Sequence, residues 1–244
     1  MMKKSIFCRS ILYLAALVFL SAISSTKPAF AGDACFDAFR RDNYATALRV
    51  CPSLAKQGNA TAQTVLGLLY AEAKGVPQDF KMAARWYRMA AEQGEVDAQV
   101  FLAQLYADGL GVAQNFSEAA KWFGLAAATG DPFAQYGLGL MSYKGEGVPQ
   151  DDKKALQLFR LAVEGGDIGA SYMLATMYSN GRGGRQDNVL AYMWFDVSIL
   201  DGPSDAKEKR DRLARKMSPA DLAKARDLAR SCHDNFYENC EERR

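Results

Sequence analysis

Residues 98–130 read AQVFLAQLYADGLGVAQNFSEAAKWFGLAAATG, and the frame of this stretch returns every 36 residues along the chain. Ala98 recurs as Ala62, Ala134 and Ala170, and Leu102 as Leu66, Leu138 and Leu174. Gly111 has Gly75, Gly147 and Gly183 in step with it, and Gln114 has Gln78, Gln150 and Gln186. Ala119 repeats at Ala83, Ala155 and Ala191, and the aromatic Phe123 at Tyr87, Phe159 and Phe195. Gly94, Gly130, Gly166 and Gly202 close the four repeats. A fixed period of this length marks an array in which one supersecondary unit is copied and stacked.

Within a repeat the apolar spacing is helical. Ala62, Leu66 and Leu69/Tyr70 fall at i, i+4 and i+7/i+8, one face of a first helix, helix A. The alternation Gly67, Ala103, Gly139, Ala175 lets a neighbouring element approach closely. Helix A is predicted to stop at Gly75 and its equivalents, where glycine takes a left-handed conformation without steric penalty. Asp79, Asn115, Asp151 and Asp187 then offer a side-chain acceptor to the start of a second helix, helix B. Helix B carries Ala83, Trp86/Tyr87 and Ala90 on one face. Such a helix pair cannot bury its apolar face alone, so the repeats must stack. Three departures stand out: Ala73 replaces the glycine of Gly109, Gly145 and Gly181; Leu158 replaces the tryptophan of Trp86, Trp122 and Trp194; and Ser142 replaces the tyrosine of Tyr70, Tyr106 and Tyr178.

The two ends are of a different kind. Lys3, Lys4 and Arg9 precede the apolar run Ile11–Ile23, and Ala29-Phe30-Ala31 has the small-x-small pattern of a signal-peptidase site. The run is 13 residues long, short of the roughly 20 that span a bilayer. Residues 1–31 are therefore read as a signal peptide, and the cleaved chain as exported and not membrane-spanning. Cleavage takes four of the 30 basic residues and none of the 28 acids, so the formal +2 becomes −2. That balance argues against a nucleic-acid partner.

Cys35, Cys51, Cys232 and Cys240 remain, an even count that in an exported chain reads as two disulfides. Of three connectivities, Cys35–Cys51 is favoured by symmetry about the turn Arg41-Asp42-Asn43, and Cys232–Cys240 by the bend between them. Asp205–Met217 is dense in charge, and Ser218-Pro219-Ala220-Asp221 is a helix start ahead of Ala220–Ser231. This pair is placed to cover the last apolar face of the array.

The string Ala98-Gln99…Leu102…Leu105-Tyr106…Gly109-Leu110-Gly111-Val112, followed by Ala119…Trp122-Phe123…Ala126-Ala127…Gly130, resembles the Sel1-like repeat, a relative of the tetratricopeptide repeat with a longer, glycine-bearing loop. Tyr44–Gly58 resembles helix B of a degenerate leading repeat. The resemblance implies an all-α, right-handed α-solenoid. It organises the chain as a degenerate capping repeat at 32–58, four repeats at 59–202, and capping helices with a disulfide tail at 203–244. It also implies a scaffold that binds another protein or peptide in the cell envelope. Some cysteine-rich family members are described as penicillin-binding or β-lactam-hydrolysing, an alternative that the absence of cysteine between Val65 and Gly202 speaks against.

Catalytic chemistry finds little to use. The single histidine, His233, reads as a solvated loop residue in the tail bend, which excludes His-rich metal sites and most nucleophilic triads. No phosphate-binding loop or nucleophile elbow is present. Neither catalytic residues, nor a metal, nor a cofactor is expected. Opposite the core face of helix A lie positions that vary between repeats: Thr64/Leu68/Ala71, Val100/Gln104/Ala107, Tyr136/Leu140/Tyr143 and Tyr172/Thr176/Ser179. Stacked helix pairs line a concave face with their A helices. Tyr136, Leu140, Tyr143 and Tyr172 are accordingly the candidate partner-binding residues, tyrosine being frequent at binding hot spots.

Overall fold

Asparagine and aspartate side chains set where many of the helices begin. The structure, a computed structural model, describes residues 31–200, 202–234, 237, 240 and 241. In it the side-chain oxygens of Asn59, Asp79, Asn115, Asp131, Asp151 and Asp187 each accept a hydrogen bond of 2.7–3.1 Å from the N–H three residues on. Each cap contributes about 1 kcal/mol to its helix. The described residues form α1 (Ala31–Arg40), α2 (Tyr44–Lys56), α3 (Ala60–Ala71), α4 (Phe80–Ala91), α5 (Val96–Asp108), α6 (Phe116–Ala127), α7 (Pro132–Lys144), α8 (Asp152–Glu164), α9 (Ala170–Asn180), α10 (Asn188–Ser198), α11 (Ala206–Ala214) and α12 (Pro219–Asp234). Among them there is no strand. The predicted leader lies outside the described residues except for Ala31.

The chain divides into two compact units, one reaching Trp122 and the other beginning at Phe123, within α6. In the first, Asp42 takes a left-handed φ of 55° after α1, and Asn43 caps α2 through the Thr46 N–H at 3.1 Å. This turn brings Cys35 against Cys51 in the expected disulfide, Cα atoms 5.0 Å apart. α2 starts 36 residues before α4, in the register expected of a leading helix B. α3 packs on α1, α2 and α4, and α5 packs on α4. In the second unit, α7 pairs with α8 and α9 with α10, while α9 also packs on α8. Both α11 and α12 cover α10. The Ser218 hydroxyl caps α12, accepting from the Asp221 N–H at 3.1 Å, and Cys232–Cys240 folds the tail back with Cα atoms 4.9 Å apart. His233, expected in the tail bend, lies in the last turn of α12, its ring 5.6 Å from that of Tyr237.

The fixed aromatics of helix B are the centre of each repeat: Tyr87, Phe123, Phe159 and Phe195 are all buried. A Cβ on Gly67 would stand 2.3 Å from the Tyr87 ring, and one on Gly139 2.8 Å from Phe159. That is the close approach the small-residue alternation predicted. Trp122 and Trp194 are buried as their register requires, whereas Trp86 is half-buried.

The inter-helix loop departs from expectation in one respect. Helix A stops two residues early: Gly109, Gly145 and Gly181 take left-handed φ values of 69°, 75° and 68°. Gly75, Gly111, Gly147 and Gly183 form a second left-handed position, at φ 70–76°. Theirs is a contact role as well, since a Cβ on Gly111 would lie 2.2 Å from the Phe80 carbonyl and one on Gly183 2.4 Å from the Asp152 oxygen. The loop thus rests on the first turn of the preceding helix B. The fixed glutamines find their purpose here. The Nε2 groups of Gln78, Gln114, Gln150 and Gln186 donate to the carbonyls of Ala71, Ala107, Tyr143 and Ser179 at 2.8–3.2 Å, satisfying an orphan acceptor at the end of each helix A.

Candidate functional site

Tyr136, Leu140 and Tyr143 stand at i, i+4 and i+7 on α7, and Tyr172 occupies on α9 the register of Tyr136. The structure leaves the three tyrosines half-buried and Leu140 buried, 5% exposed. Leu140 therefore packs inside the array, where the sequence reading turns it toward the groove. The same holds through the first compact unit, where Thr64, Leu68, Ala71, Val100, Gln104 and Ala107 are all buried. The cause lies in helix A itself. α3 is enclosed by α1, α2 and α4, so the face opposite its partner helix is also covered. Within the first unit, then, this stripe faces neighbouring helices and not solvent.

Each tyrosine is held by its own chain. The Tyr136 ring sits 5.8 Å from that of Phe159, and burial, with a smaller contribution from Asp167, pushes its phenol up to about 12. The Arg182 guanidinium lies 3.6 Å above the Tyr143 ring and donates to the Tyr143 carbonyl at 2.9 Å. Arg182 is fixed in turn by Asp152, at 2.9 and 2.5 Å, and its hydrogen bonds hold the Asp152 carboxyl below the usual range. Tyr172 meets α11: its hydroxyl donates to Asp205 at 2.9 Å, and Lys209 hydrogen-bonds the same oxygen while standing 4.6 Å from the ring. Burial pushes the Tyr172 phenol up.

A second constellation, which sequence reasoning missed, lies where the tail returns. Glu241 accepts from Trp194 Nε1 at 3.0 Å, from the Tyr178 hydroxyl at 2.5 Å and from Arg160 at 2.8 Å. Arg160 also donates to the Tyr178 hydroxyl, its guanidinium 5.7 Å from that ring. Burial first, and then Glu241, pushes the Tyr178 phenol far above its ordinary value. A cleft of about 900 Å³ opens beside this cluster, lined by Arg160, Tyr178 and Glu241 and also by Lys216, Met217, Ser218 and Asp221. The step of Tyr178 and Trp194 within the repeat was legible, but nothing local links Glu241 to them, 63 and 47 residues away.

With these features in place, the comparisons agree on one class. The Sel1 repeat model matches residues 60–95, 96–131, 132–167 and 168–199. The chain belongs to the Sel1 repeat family, and its all-helical fold is of the α-solenoid class. The crystal structure of a Sel1 repeat protein from Oxalobacter formigenes is similar at 30% identity and a TM-score of 0.65, covering 72% of each chain. A second is c5321, a protective antigen of uropathogenic Escherichia coli strains with an SLR fold, at 28% identity and a TM-score of 0.55. That match covers 82% of this chain and 51% of the antigen, so the chain spans about half its length. A search of curated protein sequences gives no match. No described helix is long and apolar enough to cross a membrane.

Proposed function

We propose that the chain is an exported, non-catalytic scaffold that binds another protein or peptide of the cell envelope, with Tyr136, Tyr143 and Tyr172 at the contact. The observation that carries this reading is the state of the three rings. Each is pinned by an intramolecular partner, yet each keeps part of its surface open. Amphipathic rings fixed in advance lose little freedom on association, which favours binding. Export is supported by Ala29-Phe30-Ala31 and by the two disulfides.

The test is photocrosslinking in the native host, with the reactive side chain placed at Tyr143, at Tyr172 and, as a control, at exposed Leu125. The first two should yield one common envelope adduct and the third should not. With the reactive side chain at Tyr136, Tyr143→Ser together with Tyr172→Ser should abolish that adduct at unchanged helicity. Adducts that survive this double substitution would move binding to another surface. Intact mass of the recovered protein should place its first residue at Gly32.

A further inference from the structure

The cluster that receives Glu241 has an internal copy. Arg160, Tyr178 and Trp194 each lie 72 residues, two repeats, after Arg88, Tyr106 and Trp122. The copy is built in the same way: Arg88 donates to the Tyr106 hydroxyl with its guanidinium 5.8 Å from the ring, against 5.7 Å for Arg160 and Tyr178. The set is broken in the step before the first copy, which reads Pro52, Tyr70, Trp86, and in the step between the two, which reads Gly124, Ser142, Leu158.

The two intact sets differ in what covers them. Trp194 gives its indole N–H to Glu241, whereas the N–H of Trp122 is buried and has no acceptor. Tyr178 is 6% exposed beneath the tail, while Tyr106 is half-buried and Arg88 exposed. Lys121 adds a second cation 5.0 Å from the Trp122 ring. Trp194 is 3% exposed with the tail in place, its indole N–H meeting the Glu241 carboxylate.

We infer that Arg88, Tyr106 and Trp122 form a docking site for a glutamate side chain of an acidic segment on another protein, the counterpart of the site that this chain's own Glu241 fills. The inference is independent of the tyrosine surface proposed above, since it uses other residues, in the other compact unit. The occupant is a side chain on a protein segment because that is what the filled copy holds. A guanidinium, a phenol and an indole N–H supply only donors to it, two of them neutral and one charged.

The three tryptophans make the test internal to the protein. Indole N–H resonances of the oxidised chain, assigned through single Trp→Phe variants, are followed while a peptide of residues 237–244 carrying Cys240→Ser is added. The Trp122 signal should move saturably. Trp86 is also without an acceptor but has Pro52 in the arginine position, so its signal should stay in place, as should that of Trp194. A peptide with Glu241→Gln, and a protein with Arg88→Ala, should each bind at least tenfold more weakly. Tyr106→Phe offers a second variant that leaves the packing intact. A stationary Trp122 signal, or equal binding by the glutamine peptide, would overturn the inference. Saturation by acetate at the same concentrations would assign the site to small carboxylates instead. Movement that follows self-association without peptide would assign it to a second copy, and either result removes the partner segment.

Discussion

Ala73 has φ 57°, in the left-handed region where the equivalent positions hold Gly109, Gly145 and Gly181. A Cβ in that conformation costs roughly 1 kcal/mol. Ala73→Gly should therefore raise stability by up to about 1 kcal/mol, part of which the greater freedom of the unfolded glycine cancels. Urea unfolding would show it as a higher midpoint at constant slope; a lower midpoint would mean that the Ala73 methyl packs. Asp152 and Arg182 give a second residue-scale outcome. The folded Asp152 carboxyl titrates below its unfolded value, so its contribution is full above about pH 4 and is lost as the pH falls through the folded value. Both side chains keep part of their surface open to solvent, whose screening holds that contribution below about 1 kcal/mol. The stability difference between the parent and Arg182→Ala should be measurable at pH 7 and shrink toward the packing of the arginine on Tyr143 near pH 2. A difference that grew on acidification would contradict the assignment. The Ala73 departure was visible in the sequence. Its backbone strain was not, because the stop of helix A had been placed two residues too late.

At the scale of elements, the repeat left a clear record wherever structure depends on local spacing. The caps at Asp79, Asn115, Asp151 and Asp187, the aromatic centre of helix B and the cysteine hairpin at Arg41-Asp42-Asn43 all follow from neighbours within a few residues. Exposure of helix A did not follow, since it depends on which other helices pack on it, as α1 and α2 do on α3. Leu140 and the stripe from Thr64 to Ala107 are covered for that reason. The inter-helix loops allow a comparison that isolates contact from conformation. Gly94 and Gly111 are both left-handed, at φ 90° and 70°, but a Cβ on Gly94 meets nothing within 4 Å while one on Gly111 strikes the Phe80 carbonyl. Gly94→Ala should cost about 1 kcal/mol, the conformational penalty alone. Gly111→Ala should cost at least about 2 kcal/mol, since backbone must also shift. Equal losses in thermal or urea unfolding would mean that the loop does not bear on α4.

Across the whole molecule, the two disulfides close loops of 16 and 8 residues, at the leading hairpin and at the tail. Loop-closure entropy gives about 3 and about 2.5 kcal/mol for them. The tail bridge carries a further load, because Cys240 directly precedes Glu241 and its bonds to Arg160, Tyr178 and Trp194. The 72-residue step from Arg88 to Arg160 bears on how such a gene could change length. Excising residues 96–167, two repeats, would join the first repeat to the fourth and deliver Arg88 into the place of Arg160, so the tail glutamate would still find its arginine. Excising only 132–167 would deliver Gly124 there and leave the carboxylate facing Tyr178 and Trp194 alone. The Gly67/Ala103/Gly139/Ala175 alternation survives the first excision as Gly67 followed by Ala175, and is broken by the second. By this logic the inheritable quantum of the array is the repeat pair. The shorter of the two proteins should keep the Trp194 indole resonance of the parent, and the longer should show it displaced.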